Sequence, residues 1–264
     1  MSYFEAIILA IIEGLTEFLP VSSTGHMIIG TALMGMEPTA FVKLFTIVIQ
    51  LGTILSVLVL YWKRFFRSLD FYYKLVVAAI PASILGLLLN DFIDSLLESP
   101  LMVAVMLVIG GVILLFVDKW FNKPTVDNSD EISFKQAFII GCYQCLALIP
   151  GTSRSASTIV GAMTQKLTRK AAAEFSFFLA LPMMFGASLV KLLKFFKEGH
   201  SFTGEEINLL IVGNIVGFIV AILAIKFFIG VLTKYGFKAF GWYRIVVGLV
   251  IIVMLLSGNS LQMI

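Results

Sequence analysis

The sequence predicts an all-α polytopic membrane protein with six transmembrane helices, two re-entrant helix-turn-helix hairpins and internal repeats of inverted topology. Three observations carry that expectation. The 264-residue chain is 59% hydrophobic and 13% charged, with a mean hydropathy of +1.02, whereas charged residues make up about a quarter of an ordinary soluble domain. Two apolar stretches are each interrupted by a proline and a run of small polar residues, at corresponding places in the two halves of the chain. Finally, the loop lysines and arginines fall mostly on one side of the membrane if those interrupted stretches turn back within it. Length leaves room for one membrane domain, 1–264, with repeats over about 3–117 and 134–258.

In chain order, 3–19 is apolar but carries Glu13 and Glu17. It has no basic leader and holds Glu5 as well, so it is not read as a signal peptide. Pro20-Val21-Ser22-Ser23-Thr24-Gly25-His26 breaks the run, and 27–36 resumes it. Neither piece has the roughly 20 apolar residues that a span requires. Spans are expected at 41–62, 71–89 and 101–117, followed by a polar connection over 118–135. The second broken pair is 138–149 and 155–165, separated by Pro150-Gly151-Thr152-Ser153-Arg154. Three more spans follow at about 171–193, 207–228 and 243–256. Cys142 and Cys145 form a lone C-x-x-C with no second pair to complete a zinc site, and are expected as buried apolar cysteines.

The broken pairs read as one repeat written twice. Ala6 through Glu13 matches Ala137 through Gln144, and each run leads to a proline, Pro20 or Pro150. Counted from those prolines, Ser23 falls on Ser153 and Phe45 on Phe175. Interrupted helices at matching positions of a repeat point to a binding site near the membrane midplane. Loop charge sets the orientation. Lys63, Arg64, Arg67 and Lys74 mark a cytoplasmic loop, and Asp91, Asp94 and Glu98 an external one. Re-entry of the second pair keeps Lys119, Lys123, Lys135, Lys166, Arg169 and Lys170 inside, with Lys226, Lys234 and Lys238. Lys191, Lys194 and Lys197 break the rule, beside Glu198, Glu205 and Glu206. The first pair then enters from the external side, opposite to the second.

The chemistry concentrates in the two interruptions. At 150–158 one guanidinium, Arg154, stands among five hydroxyl-bearing residues, and a helix is expected to begin there. Free N–H groups and the positive end of the helix dipole would face the same ligand as the guanidinium fork. An oligophosphate suits that constellation; the alternative is a polar turn whose arginine pairs with a lipid headgroup or a carboxylate. Glu13 and Glu17 stand at i and i+4, on one helix face. Carboxylates at membrane depth need a cation, a proton or an arginine beside them. A hard divalent ion, Mg²⁺ or alternatively Ca²⁺, suits two carboxylates plus phosphate oxygens, while an ion pair with Arg154 is the structural alternative. His26 shares a turn with Ser22, Ser23 and Thr24; Gln50 is a further hydrogen-bonding group in a span; His200 is left as solvated.

These motifs carry a resemblance. Glu-Gly-Leu-Thr-Glu-Phe-Leu-Pro-Val-Ser-Ser-Thr-Gly-His over 13–26, together with Pro-Gly-Thr-Ser-Arg-Ser-Ala-Ser-Thr over 150–158, resembles the undecaprenyl pyrophosphate phosphatases, also called the bacitracin-resistance phosphatases. The likeness spans the whole chain, with Val21 and Met27 as conservative departures. It implies a multi-pass enzyme of the bacterial inner membrane that removes the terminal phosphate of undecaprenyl pyrophosphate and so recycles the lipid carrier of cell-wall precursors. It also implies functional roles for Glu13, Glu17, Ser23, His26 and Arg154, and a divalent cation.

The expected assignment places Glu13 and Glu17 on the cation. Thr24, Gly151, Thr152, Ser153, Arg154 and Ser155 hold the pyrophosphate, and Glu17, Ser23, His26 and Arg154 carry out the reaction. Ser23 is the expected nucleophile with His26 as its base; direct attack by His26 is the other possibility. Expected partners are the polyprenyl pyrophosphate and membrane lipids, with no nucleic acid; monomer and homodimer both stay open. The loop charges put the opening of the site on the periplasmic or external side. A polyprenyl-phosphate flippase on the same inverted-repeat plan is the main functional rival, and a non-catalytic lipid scaffold the third reading.

Overall fold

The computed structural model of the protein describes residues 1–66, 69–89, 92–93, 96 and 99–257. Arg67 and the acidic residues Asp91, Asp94 and Glu98, used above to orient the loops, lie outside them. The described residues form helices α1 (Tyr3–Thr16), α2 (Ser23–Met34), α3 (Ala40–Leu60), α4 (Leu69–Leu88) and α5 (Pro100–Trp120) in the first half. The second half holds α6 (Phe134–Gln144), α7 (Arg154–Thr164), α8 (Arg169–Lys197), α9 (Gly204–Tyr235) and α10 (Lys238–Leu256). Six of them, α3, α4, α5, α8, α9 and α10, are long and apolar enough to cross a membrane. Each lies where a span was expected. The protein is thus a multi-pass membrane protein.

Several ends are written in the sequence. Ser2 with Glu5 and Ser133 with Gln136 form capping boxes at the starts of α1 and α6, and Thr203 with Glu206 does the same for α9. Thr39, Ser99 and Thr168 cap α3, α5 and α8, and Pro100 opens α5 where a missing N–H is harmless. At 14, 12, 11 and 11 residues, α1, α2, α6 and α7 are each too short to span. Small residues let the helices close up on one another. At Gly52 of α3 a Cβ would stand 2.2 Å from the Asn214 carbonyl oxygen of α9, and the Gly52 N–H donates to Asn214 Oδ1 at 2.6 Å.

The largest buried cluster is aromatic. Phe18 meets Phe177 edge-on at 5.3 Å, Phe71 meets Phe178 at 5.1 Å, and Phe228 meets Phe240 at 5.2 Å. It therefore joins the end of α1 to α4, α8, α9 and α10. Outside the cluster, polar ties fasten the loops. Arg64 reaches Glu174, Asn128, Ser129 and Asp130, while Arg169 and the Phe237 N–H both use the Asp118 carboxylate.

The two broken pairs share local backbone with a spacing of 131 residues. Ser2 and Ser133 cap their first helices, Ser22 and Ser153 precede the second with φ of 67° and 74°, and Gly35 and Lys166 follow with 64° and 66°. That spacing corrects the register counted from the prolines. Ser22, not Ser23, matches Ser153, and Ser23 matches Arg154. Pro20 and Pro150 mislead because a proline is tolerated anywhere in the interruption, whereas the cap position is fixed by the backbone conformation that starts the helix.

Candidate active site

The two interruptions meet. Ser155 Oγ donates to the Leu19 carbonyl at 2.7 Å, so the second turn is fastened to the first. Between them lies a cavity of about 330 Å³, lined by Glu17, Ser22, Ser23, Thr24, Gly151, Ser153 and Arg154. Gln50 and Gln144 add amides to its wall, and Ala82, Leu148, Met183, Met184 and Ala187 an apolar side. Ala82 and Met183 directly follow Pro81 and Pro182, prolines inside α4 and α8 that withhold an N–H from each helix ladder.

Glu17 is the hub. One carboxylate oxygen accepts from Ser23 Oγ at 2.8 Å and the other from Arg154 Nη2 at 3.0 Å. Arg154 Nη1 donates to the Ser176 carbonyl at 2.9 Å, and its guanidinium lies 5.9 Å over the Phe18 ring. Ser176 is itself held by Thr158 at 2.6 Å. Arg154 and Ser23, at equivalent places in their turns, thus share one carboxylate.

Gly151 lets the second turn form. Its φ is +88°, and a Cβ there would lie 2.4 Å from the Val103 carbonyl oxygen. Ser153 Oγ caps α7 by accepting the Ala156 N–H.

Four expected site residues stand off the cavity. Thr152 keeps a buried hydroxyl with no partner among the described residues, and Ser155 is spent on Leu19. Glu13 is buried one helical turn before Glu17, and its Oε1 has no hydrogen-bond partner among the described residues. His26 is not joined to Ser23. Its Nδ1 meets the Ser22 carbonyl at 2.8 Å and its Nε2 the Tyr243 hydroxyl at 2.8 Å. A carbonyl only accepts, so Nδ1 carries the proton; in the neutral ring Nε2 accepts from Tyr243, which also stacks on the imidazole at 5.5 Å. Ser23 Oγ meets the Glu17 carboxylate, while the helical i, i+4 relation hands the His26 imidazole to the Ser22 carbonyl.

A family model described as bacitracin resistance protein BacA matches residues 6–250. The chain belongs to the BacA family. Its relatives include the undecaprenyl-diphosphatase of Flavobacterium johnsoniae, 60% identical over 253 residues and covering 96% of both chains. That of Flavobacterium psychrophilum is 62% identical over 252 residues, covering 96% of this chain and 95% of the relative. The undecaprenyl-diphosphatase of Bdellovibrio bacteriovorus is 52% identical over 266 residues and covers both chains completely.

In this BacA-family chain the carboxylates fit a hard cation. Glu13 offers a buried oxygen with no partner among the described residues, one helical turn before Glu17. Among the described residues no three His, Cys, Asp or Glu stand together as a metal group. That set suits Mg²⁺, which takes one or two carboxylates and fills the remainder with water and phosphate oxygens.

Sequence reasoning passed over two members of α10. Arg244 is wholly buried, and Tyr243 precedes it. The signal was present: an arginine inside an apolar span is a functional candidate by default. Gln144 was used only to align the repeats; its amide is buried, and among the described residues neither atom has a partner. The C-x-x-C expectation needs correcting, since Cys142 is exposed and Cys145 half-buried, both as free thiols. His200, left as solvated, stacks on Phe195 at 4.8 Å.

Proposed function

We propose that this chain hydrolyses undecaprenyl pyrophosphate to undecaprenyl phosphate and inorganic phosphate in the cavity between the two turns. The observation that carries the reading is Glu17 joining Ser23 and Arg154 inside one cavity of a BacA-family chain. The polar wall suits a pyrophosphate, and the apolar wall suits the first prenyl units. In this reading α1–α2 and α6–α7 are re-entrant hairpins of an inverted repeat. Their shortness and shared cap geometry support it, as does the contact of the two turns. The repeats are about 3–117 and 134–258 of a single membrane domain, in the bacterial inner membrane with the cavity open to the external side.

Ser23 Oγ attacks the terminal phosphorus and passes its proton to Glu17 Oε2. The bridging P–O bond breaks, and undecaprenyl phosphate leaves. Undecaprenyl phosphate carries off the proton held by Glu17, which, ionised again, takes a proton from the water that attacks the phosphoserine; the P–Oγ bond breaks, Glu17 returns that proton to Ser23 Oγ, and phosphate is released. Arg154 swings one N–H pair from Glu17 to the phosphoryl oxygens and stabilises the charge developing on them. A divalent cation on Glu13 and Glu17 supplies Lewis-acid screening of phosphate charge when bound. The Ser22 carbonyl keeps the His26 proton on Nδ1 and leaves Nε2 to accept from the Tyr243 hydroxyl, a pair through which a proton can pass between the two side chains. The orientation of His26 away from the cavity supports Ser23 as the nucleophile.

The test is phosphate release from undecaprenyl pyrophosphate by purified protein in detergent, with and without Mg²⁺. No gradient exists there, so a flippase would release none. Trapping the phosphoryl group on Ser23 is the expected result; a phosphohistidine at position 26 would refute the serine route.

A further inference from the structure

We propose that Arg244 is a positioning residue for this reaction: one buried guanidinium pins the two turns together and sets the register of Ser23, Glu17 and Arg154. The proposal rests on the phosphatase reading above. Arg244 sits on α10 with none of its surface exposed. Its donors all go to backbone carbonyls. Nε donates to Leu107 at 3.4 Å; Nη1 to Pro20 at 3.2 Å and Thr152 at 3.0 Å; and Nη2 to Met106 at 3.1 Å and Gly151 at 2.9 Å. Pro20 and Gly151 hold equivalent places, each two residues before the serine of positive φ. The same side chain therefore grips the same carbonyl of both turns and anchors them to α5.

Two consequences follow from that geometry. Carbonyls drawn toward Arg244 turn the far edges of both turns, with their N–H groups and side chains, toward the cavity. Its charge also has no carboxylate among its hydrogen-bond partners, so it remains as a buried positive charge behind a site built for a polyanion. A guanidinium is required for the first effect, because an ammonium has only three donors and no planar fork. Only the charge is required for the second.

The fold provides a way to move the guanidinium without replacing it. At Gly110 of α5 a Cβ would lie 2.2 Å from Arg244 Nη2 and 2.7 Å from Cζ. In Gly110→Ala the helix gains propensity, so lost activity reports the displaced guanidinium and not a weaker helix. Gly230→Ala, which meets nothing within 4 Å, is the control.

The experiment measures turnover on undecaprenyl pyrophosphate by monodisperse wild type, Arg244→Lys, Arg244→Gln, Gly110→Ala and Gly230→Ala, with melting temperatures alongside. Arg244→Lys and Gly110→Ala should lower kcat by about 10²-fold while KM moves less than about threefold, since misplacement of about 1 Å is worth that much. Arg244→Gln should also raise KM, because the charge is gone. Gly230→Ala should match wild type. If Arg244→Lys and Gly110→Ala keep kcat within twofold and change only the melting temperature, Arg244 is a packing feature and the proposal fails. Failure of both to give monodisperse protein also counts against it, by making Arg244 a determinant of folding. An inactive wild type would refute the phosphatase reading instead.

Discussion

Both carboxylate oxygens of Glu17 are engaged, one by Ser23 and the other by Arg154, which makes its substitutions unusually informative. Glu17→Gln keeps the shape and can still accept from Ser23, but the amide is a far weaker proton acceptor and no longer attracts Arg154. We expect kcat to fall by about 10²–10⁴-fold, the range of general-base losses, with far-UV helicity unchanged. Retention of near-normal turnover would remove Glu17 from the proton path. Ser23→Ala should abolish phosphoryl-enzyme formation, whereas Ser153→Ala loses a cap worth about 1 kcal/mol and should keep measurable turnover. Tyr243→Phe tests a different link. Removing one hydroxyl from His26 Nε2 should cost about one net hydrogen bond, or roughly a tenfold fall in kcat/KM; no change would leave His26 without a part in proton transfer.

At the scale of elements, the two turns depend on backbone conformations that side chains disfavour. Gly151 combines φ of +88° with a carbonyl oxygen 2.4 Å from its would-be Cβ, while Gly35, at φ +64°, meets nothing within 4 Å. Gly35→Ala should therefore cost only the strain of the left-handed region, about 1 kcal/mol, and stay active. Gly151→Ala must push the turn off Val103 and should lose both thermal stability and activity; equal, mild effects at the two positions would show that the turn relaxes freely. Much of this layer was legible beforehand. Spans and interruptions follow from apolar run length, and the capping serines and threonines mark where several helices begin. The register between the turns was off by one residue, because prolines mark an interruption without fixing φ of the residues after it. The bond from Ser23 to Glu17, six residues apart, was illegible for a related reason: it needs the 3-D path from the end of α1 to the start of α2. Arg244 was legible as an intramembrane charge, but its five carbonyl partners come from three separate segments.

For the whole molecule, the decisive quantity is charge in a cavity with one apolar wall. Glu13, Glu17, Arg154 and Arg244 bring two carboxyl groups and two guanidinium groups to the meeting of the turns. A pyrophosphate entering that balance adds several negative charges at a depth where uncompensated charge is strongly disfavoured. Among the described residues no cationic side chain besides Arg154 lines the cavity, and we propose that an exogenous cation accompanies the substrate. Protein stripped with a chelator should thus hold its fold but lose turnover, and added Mg²⁺ should restore it. Glu13→Gln removes a charged donor while leaving the Ser23–Glu17–Arg154 contacts in place. Its half-saturating Mg²⁺ concentration should rise by about tenfold or more, as expected when a tight ligand set loses one member or its support, while kcat at saturating Mg²⁺ falls much less than in Glu17→Gln. Measuring activity against free Mg²⁺ for both variants separates the roles. An unchanged Mg²⁺ requirement in Glu13→Gln would place the cation elsewhere, and the buried Glu13 oxygen would then need a proton rather than a metal to balance it.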